Sequence, residues 1–206
     1  MLISVCIIAK DAEKYLRNAM DTALSFGGEV IIMVDSSSID HTWALSTGYG
    51  GNTKVFEYDF VGFGAARNGL IQEAKGDWIF MLDTDETIDP EDVEIICKHL
   101  STLQERIYTF PRKNWTDFGR MNFRKDFYPD RQSRLFPGGG KVNYGNQPVH
   151  EVPNGKGITT VPFPDESVHI NHFCFAYRKW ADWHEVNQFY LKLGSQLPGI
   201  EPNEVP

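Results

Sequence analysis

Hydrophobic runs and amphipathic stretches alternate regularly through the first hundred residues of the chain. Four short apolar runs, each typical of a buried strand, are separated by segments whose apolar residues recur at helical spacing. The predicted strands are 2–9, 29–34, 54–58 and 76–82, and the predicted helices are 15–24, 40–47, 64–74 and 90–100. This alternation predicts an α/β fold with a doubly wound, mostly parallel sheet.

The pattern changes in the second half, where aromatic residues, prolines and glycines are dense. Short strands are predicted at 106–110, 133–136 and 168–173, followed by an amphipathic helix at 176–193. We therefore expect one domain over residues 1–197, divided into halves at 1–104 and 105–197. Three prolines in residues 198–206 predict a flexible tail.

Length, composition and charge limit the classes of function. The chain has 206 residues and is 41% hydrophobic, which is enough for one folded domain with a substantial core. Its net charge is -8. Broad nucleic-acid surfaces need clustered Lys and Arg, so a nucleic-acid partner is disfavoured, although it stays an alternative.

Cysteine usage and hydropathy bear on location. The three cysteines, Cys6, Cys97 and Cys174, show no disulfide or metal-binding spacing, so we expect reduced, mostly buried thiols of a cytosolic protein. The apolar run at 2–9 is too short to span a bilayer and lacks the features of a signal peptide. No later segment is long enough to cross a membrane. These features predict a cytoplasmic location, with peripheral contact at the inner membrane surface as a variant.

Two aspartates follow the fourth predicted strand, in the segment Asp83-Thr84-Asp85-Glu86. Because alternate residues of an extended segment project to one side, Asp83 and Asp85 are expected to present their carboxylates together. Such oxygen donors suit Mg²⁺ or Mn²⁺ and leave coordination positions for the phosphates of a substrate. Ligands of open α/β sheets bind outside the carboxyl ends of the strands, so the site is predicted here.

Two alternatives apply to the same aspartates. Oxygen-bearing side chains from Asp83 to Glu94 match the ligand spacing of an EF-hand calcium loop. However, Ile88 stands where that loop needs glycine, Pro90 falls inside it, and a strand precedes it. The calcium loop is therefore disfavoured. A purely structural acidic turn is the second alternative.

Asp35 and Arg67 are further candidates for ligand binding. Asp35 ends the second predicted strand, where its carboxylate can accept a hydrogen bond from a ribose hydroxyl or a base N–H. Alternatively, it only caps the serine-rich loop at 36–38. Arg67 follows the glycines and alanines of 62–66 in the first turns of a helix, where its guanidinium can meet a base carbonyl or a phosphate. The alternative is an ordinary surface arginine.

The second half supplies candidate catalytic and metal-binding side chains. Glu151 follows His150 in an apolar frame at 147–153 and is a candidate general base for a hydroxyl. His150 could tune Glu151, bind a phosphate or act as the base itself. His172, on the strand predicted at 168–173, is a candidate third metal ligand. The alternatives are an exposed polar loop for the first pair and an ordinary hydrogen-bonded histidine for His172.

An aromatic stretch interleaved with basic residues lies between these regions. It could stack on sugars or dock at a membrane surface, or it could form part of the core and its rim. Its members are Arg112, Lys113, Trp115, Phe118, Arg120, Phe123, Arg124, Lys125, Phe127 and Tyr128.

Four segments, at 4–13, 34–42, 62–68 and 76–86, together resemble the conserved blocks of family-2 glycosyltransferases with the GT-A fold. The chain is most similar to the small lipopolysaccharide-core glucosyltransferase-like enzymes. Those also carry a valine-histidine-glutamate segment, as at His150-Glu151, and a later histidine before an aromatic stretch, as at His172-Phe173. The resemblance is specific over residues 2–100 and looser over 130–190.

The resemblance implies a role for each matching residue. Glu151 and His150 would be catalytic, with Glu151 as the base. Asp83, Asp85 and His172 would hold Mn²⁺ or Mg²⁺. The residues implied in binding the nucleotide sugar are Ala9, Lys10, Asp35, Arg67, Asn68, Asp83 and Thr84.

The function implied is metal-dependent, inverting transfer of a sugar from a nucleotide-diphospho-sugar to a hydroxyl acceptor. Residues 1–104 would bind the donor, with a UDP-sugar favoured, and residues 105–197 would form the acceptor side. A glycan or glycolipid is the expected acceptor. Two alternatives stay open: a nucleotidyltransferase of similar fold and a non-catalytic nucleotide-sugar-binding protein.

Overall fold

The computed structural model of the protein describes residues 1–145 and 151–177. As predicted, four strands alternate with four helices in its first hundred residues, and one further short strand lies between the fourth strand and the fourth helix. The strands are β1 (Ile3–Ala9), β2 (Glu29–Asp35), β3 (Thr53–Tyr58) and β4 (Trp78–Asp83). The helices are α1 (Leu16–Ser25), α2 (Thr42–Thr47), α3 (Phe63–Glu73) and α4 (Pro90–His99).

The four strands form the parallel part of a large sheet, in the order β3-β2-β1-β4. Successive residues of β1 face opposite sides of this sheet. Val5 and Ile7 pack in a core with α1 and α4, whereas Cys6 packs in a second core with α3. Helices therefore cover both faces, and the predicted doubly wound α/β architecture is confirmed.

Further strands, all but one of them from the second half, complete the sheet or pair beside it. These are β5 (Glu86–Thr87), β6 (Ile107–Asn114), β7 (Asp130–Pro137), β10 (Thr160–Pro162) and β11 (Ile170–His172), while β8 (Asn143–Tyr144) and β9 (Pro153–Asn154) form a separate pair. Strand β7 lies between β4 and β6 and is antiparallel to both. Strands β10 and β11 run parallel to β6, and β5 pairs antiparallel with β11.

Several boundaries differ from the sequence prediction. Strand β6 continues beyond Phe110 to Asn114, and β7 begins at Asp130, because polar side chains at these strand ends are buried in hydrogen bonds with one another. The EF-hand alternative is wrong, since β5 and the start of α4 occupy the segment that would form its loop. Of the helix predicted at 176–193, helix α5 (Cys174–Tyr177) includes the first two residues. The remainder and the tail at 198–206 lie outside the described residues.

The aromatic stretch divides between the core and the surface. Trp115 is buried and donates its indole N–H to Asn171. Arg112 pairs with Asp130, as the alternative of the core and its rim held. Phe118 and Phe127 are exposed. Within 1–145 and 151–177, the helices are all too short or too polar to cross a bilayer.

Candidate active site

The carboxyl ends of β1, β2 and β4 lie side by side and bring together three of the predicted residues. In the parallel register, Ala9 of β1 lies opposite Val34, one residue before Asp35, and Ile8 lies opposite Asp83. Because Ala9 is buried, a ligand could contact it only at this edge of the sheet. Polar residues of the first half therefore lie together at this edge of the sheet.

Asp35 is held in its loop and remains 4% exposed. Its Oδ1 accepts hydrogen bonds from the backbone N–H of Ser37 at 2.9 Å and from the Ser37 hydroxyl at 2.7 Å. Its Oδ2 faces the Lys10 ammonium at 3.3 Å. Burial alone would raise the pKa of Asp35, but Ser37 and Lys10 outweigh it and lower the pKa. The carboxylate thus caps the loop, as one alternative held, and stays charged at the edge.

Arg67 connects the two halves of the chain. Its Nη2 donates to Asp83 Oδ1 at 3.0 Å, and its Nε donates to Glu151 Oε1 at 2.7 Å. The guanidinium also lies over the Tyr144 ring, 5.5 Å from the ring centroid. Arg67 is buried, so the alternative of an ordinary surface arginine is wrong. Two carboxylates far apart in sequence are therefore joined at one point.

Asp83 takes part in a second ion pair, with Arg134 of β7 at 2.5 Å. Arg134 also donates to the fully buried Glu86 at 2.6 Å, and Arg112 contacts the same Glu86 oxygen at 3.2 Å. Burial alone would raise the pKa of Asp83, but Arg134 and Arg67 outweigh it and hold the pKa far below its usual range. Asp83 is therefore charged at neutral pH as a member of an arginine–carboxylate network.

Asp83 and Asp85 have different partners in the structure. Strand β4 ends at Asp83, and Thr84 and Asp85 form a turn, so the alternation of an extended segment does not apply. Asp83 faces the two arginines, whereas Asp85 Oδ2 lies 3.5 Å from His172 Nε2. The expectation that one ion contacts both carboxylates stays a prediction. The role of Asp83 as a metal ligand stays a prediction.

A different group of donors surrounds Asp85. One donor atom each from Asp85, His172 and Cys174 lies within 4.8 Å of the others. Burial would lower the pKa of His172, but Cys174 and Asp85 outweigh it and raise the pKa to about 10. A carboxylate and an imidazole fit a divalent transition metal such as Mn²⁺ better than Mg²⁺, which favours oxygen ligands alone. The donor set therefore fits the implied cation at Asp85 and His172.

His172 is oriented from behind by a chain of hydrogen bonds. Asn114 Nδ2 donates to Asp130 at 3.1 Å, and because a carboxylate only accepts, the Asn114 carbonyl must face His172 Nδ1, at 2.5 Å. This assigns a proton to Nδ1 and turns Nε2 toward Asp85. Metal-binding histidines commonly use such a partner for the ring nitrogen that does not bind the metal.

The remaining predicted residues take other positions. Asn68 uses both ends of its amide on the backbone of Tyr144, at 2.9 and 2.7 Å, so in this structure it holds β8 in place. Thr84 lies in the turn after β4. His150 lies outside the described residues. Their predicted contacts with a ligand stay predictions.

A cleft of about 310 Å³ opens beside this network. It is lined by Asp83 and Glu151, the two partners of Arg67, and by side chains from β6 and β7. The lining residues are Arg67, Asp83, Arg112, Arg131, Gln132, Ser133, Arg134, Tyr144, Glu151, Val152 and Pro153. Burial raises the pKa of Tyr144 to about 12, so its phenol is neutral. The cleft is therefore polar and rich in cationic donors.

Sequence reasoning missed Arg112, Arg134, Glu86 and Asp130 as site residues, and it found no metal spacing around Cys174. The free, mostly buried thiols expected from the sequence are confirmed. Nothing in the sequence indicated, however, that Cys174 lies near Asp85. The charged residues on β6 and β7 were the available signal. Buried charges are almost always paired, so charged residues in a predicted strand indicate partners inside the fold.

The sequence matches the family described as Glycosyl transferase family 2 over residues 4–182. A TPR repeat-containing protein of Synechococcus elongatus is 30% identical over 151 residues, which is 73% of this chain and 35% of that protein. The chondroitin synthase of Pasteurella multocida is 28% identical over 140 residues, which is 58% of this chain and 14% of that protein. The chain spans 35% or less of the length of these curated relatives.

Solved structures of S. aureus TarS share the fold. The crystal structure of TarS 1-349 in complex with UDP-GlcNAc has a TM-score of 0.59 at 17% identity, covering 99% of this chain and 69% of that chain. The complex with UDP has a TM-score of 0.58 at 15% identity, covering 99% and 68%. The similarity extends over nearly the whole chain.

Proposed function

The chain belongs to glycosyl transferase family 2, and on this premise we propose that it transfers a sugar from a nucleoside-diphosphate sugar to a hydroxyl acceptor. The GT-A-like α/β fold expected from the sequence is confirmed by the solved structures that it resembles. The resemblance to the small lipopolysaccharide-core enzymes in particular stays a prediction.

The observation that carries the proposal is the junction made by Arg67. It joins Asp83, at the carboxyl edge of the sheet, to Glu151, from the second half, at 3.0 and 2.7 Å. A transferase needs a donor-binding edge and an acceptor-activating group on opposite sides of one cleft. The junction gives this chain both, with Asp83 and Glu151 lining the same cleft.

The donor side uses the residues of the β1–β2 edge. We propose that Asp35 accepts a hydrogen bond from the base or the ribose, and that Ala9 lines the pocket beside it. Lys10, paired with Asp35 at 3.3 Å, places a cation at the same point. The TarS structures are complexes with UDP and UDP-GlcNAc, which favours a UDP-sugar as the donor here.

The metal site of the proposal is the corner between the β4–β5 turn and β11. Asp85 and His172 would hold the divalent cation, Mn²⁺ in preference to Mg²⁺. When bound, such a cation neutralises the negative charge that develops on the departing diphosphate. Asn114 orients the His172 ring, and Asp130 in turn orients Asn114.

The chemical step proposed is a single displacement that inverts the anomeric centre. The acceptor oxygen attacks the anomeric carbon while the bond from that carbon to the diphosphate oxygen breaks. Glu151 takes the acceptor's proton, and the nucleoside diphosphate leaves with the bonding electrons. General-base help of this kind typically contributes about 10²–10⁴ in rate. His150 is proposed to assist Glu151.

The experiment is incubation of the protein with a panel of nucleotide sugars, with Mn²⁺ and with a chelator, while the released products are identified. Glycosyl transfer or donor hydrolysis releases a nucleoside diphosphate, and we expect this with a UDP-sugar and Mn²⁺. The variant Asp85→Ala is expected to lose this activity.

Two outcomes would overturn the proposal. Release of pyrophosphate from a nucleoside triphosphate and a sugar phosphate would show a nucleotidyltransferase. Donor binding with no turnover across the panel, even with glycan and glycolipid acceptors, would show a binding protein. Location in the cytoplasm, with or without peripheral membrane contact, stays a prediction beside the proposal.

A further inference from the structure

The corner beside Asp85 is built by the pairing of β5 with β11. Glu86 lies opposite His172 and Thr87 opposite Asn171 in the antiparallel register. The backbone N–H of Phe173 then donates to the Asp85 carbonyl at 2.9 Å. These contacts fix the β4–β5 turn against the residues that follow β11, so Asp85 and the 172–174 segment hold a set position.

Cys174 lies in this corner, not in a separate part of the core. Its Sγ is 3.4 Å from His172 Nδ1, and donor atoms of Asp85, His172 and Cys174 all fall within 4.8 Å of one another. Cys174 is 5% exposed, while the His172 and Asp85 side chains are 11% and 14% exposed. The group is thus shielded from bulk water yet open enough to exchange an ion.

The His172 imidazole has oxygen partners as well as the sulfur. His172 Nδ1 already donates to Asn114 at 2.5 Å, a much closer contact than the 3.4 Å to the sulfur. Nε2 faces Asp85. Both ring nitrogens have oxygen partners, and Nδ1 also lies within hydrogen-bond distance of the sulfur. It is the grouping of the three donor atoms within 4.8 Å that indicates a shared ion site.

We propose that the Cys174 sulfur is a third protein ligand in this corner, beside Asp85 and His172. The site then offers one oxygen, one nitrogen and one sulfur donor. The Cys174 thiol and Nε2 of His172 each give a proton to solvent as the ion binds, since only a thiolate and an unprotonated ring nitrogen ligate a metal. This inference rests on the metal-binding part of the proposed function and names the kind of ion that the site selects.

A mixed donor set changes the preference among cations. Thiolate is a soft ligand that favours ions such as Zn²⁺ and Co²⁺, whereas Mg²⁺ and Mn²⁺ favour carboxylates, carbonyls and water. The chain should therefore bind Co²⁺ and Zn²⁺ more tightly than Mn²⁺, and Mg²⁺ least tightly. A site made of Asp85 and His172 alone would discriminate less against Mn²⁺.

The experiment uses Co²⁺ as the probe, because a cobalt–thiolate bond produces a charge-transfer absorption in the near ultraviolet that oxygen and nitrogen ligands do not. The metal-free protein is titrated with Co²⁺ in buffer that contains a phosphine reductant. Zn²⁺ or excess Mg²⁺ is then added to displace the bound Co²⁺. We expect the band to saturate at one Co²⁺ per chain, to disappear with Zn²⁺ and to resist Mg²⁺.

Two serine variants make a matched pair. Cys174→Ser should lose the band and bind Co²⁺ at least about tenfold more weakly, since even the loss of an outer-shell partner costs about 10–100-fold. Cys97→Ser removes a half-buried thiol from α4, away from the corner, and should keep the wild-type spectrum and affinity. Circular dichroism establishes whether each variant is folded.

Even if Cys174→Ser does not fold, the titration of the wild-type protein tests whether a thiolate binds the metal. Stoichiometric Co²⁺ binding without the band, absence of any Co²⁺ binding, or a band retained in folded Cys174→Ser would overturn the inference. Failure of the proposed function is separate. If the protein shows a cobalt–thiolate band but turns over no nucleotide sugar, the metal site is supported and the proposed transferase activity is contradicted.

Discussion

Arg67 is the residue on which the candidate site depends most. Its guanidinium is shared between Asp83 and Glu151 and covers the Tyr144 ring. Burial alone would lower the pKa of Arg67, but Asp83 and its other anionic neighbours outweigh it and raise the pKa. A guanidinium that is always charged and geometrically fixed can hold two carboxylates at a set separation.

Glu151→Gln tests whether Glu151 is the general base. Glutamine keeps the carbonyl oxygen that Arg67 Nε contacts at 2.7 Å, but it cannot accept the acceptor's proton. We expect the turnover number to fall by about 10²–10⁴ while binding of the nucleoside diphosphate is unchanged. Steady-state kinetics and calorimetry measure the two effects separately.

Glu105→Gln is the matched control, because Glu105 is an exposed glutamate that pairs with Lys141. It should leave turnover unchanged. Near-full turnover in Glu151→Gln would show that another group takes the proton.

Asp35→Asn tests the donor side. Asparagine retains an oxygen for the Ser37 N–H at 2.9 Å, so the loop should keep its shape, but the charge facing Lys10 and the ligand is removed. Hydrogen bonds to charged groups contribute about 1.5–3 kcal/mol, which corresponds to roughly 10–100-fold weaker UDP binding. Calorimetry measures the change.

Asp59→Asn alters an exposed aspartate that accepts a hydrogen bond from Ser36 in the same loop region, and it serves as the control. Equal UDP affinity in wild type and Asp35→Asn would show that Asp35 caps the loop and does not bind the donor.

The residues that sequence reasoning identified and those it missed differ in one physical respect. Asp35 and Asp83 end apolar strands, and the position of a charge at such an end is visible in the sequence. Arg134 reaches Asp83, at 2.5 Å, only through strand pairing across the sheet, and Cys174 comes near Asp85 only because β5 pairs with β11. Pairing between strands of distant sequence position is not encoded in local periodicity.

At the scale of elements, the apolar runs of the first half predicted every strand and helix there except the two-residue strand β5. Their pattern is unambiguous because both faces of β1 and β4 are buried. The polar end of β6 was missed because Arg112 and Asn114 are satisfied by Asp130 rather than by water. Two-residue strands such as β5 and β8 carry too few positions to show a period.

The junction of β4 with β7 depends on a glycine that follows β7. A Cβ added to Gly138 would lie 2.0 Å from the carbonyl oxygen of Gly76. The N–H of Gly138 also donates to the Asp77 carbonyl at 2.8 Å, so the two backbones cannot separate without losing that bond. Close backbone approach therefore fixes the position of β7, and with it Arg134.

Gly138→Ala should lower the free energy of unfolding by about 1–3 kcal/mol or more, the usual cost of overpacking. Urea denaturation measures it. Gly145→Ala is the control, because a Cβ at Gly145 would meet nothing within 4 Å. If both variants unfold at the same urea concentration as wild type, the close approach does not constrain the sheet.

On the scale of the whole molecule, the two halves meet through a charged network. The parallel half supplies Asp83 and Arg67, the following strands supply Arg134, and the loop before β9 supplies Glu151. The overall fold followed from the sequence because two hydrophobic cores determine it. The network could not be predicted because it depends on how the halves are placed together.

The network predicts how stability depends on pH. The folded pKa of Asp83 lies below its unfolded value of about 3.9. Its contribution to stability is therefore present above that value and is lost as the pH falls toward the folded pKa. We expect the free energy of unfolding to decrease steeply below about pH 4, and less steeply in Asp83→Asn.

Urea denaturation at a series of pH values, with Asp59→Asn as the exposed control, measures these slopes. Identical acid dependence in wild type and Asp83→Asn would contradict a stabilising role for the Asp83 ion pairs.

The most direct test of the central claim is calorimetric titration of the protein with UDP and the other nucleoside diphosphates, with and without Mn²⁺ or Co²⁺. A carboxyl edge that binds a metal-bridged diphosphate predicts tight binding of one nucleotide, dependent on the metal and weakened in both Asp35→Asn and Asp85→Ala. If no nucleoside diphosphate binds in the presence of either metal, the proposed donor site is contradicted.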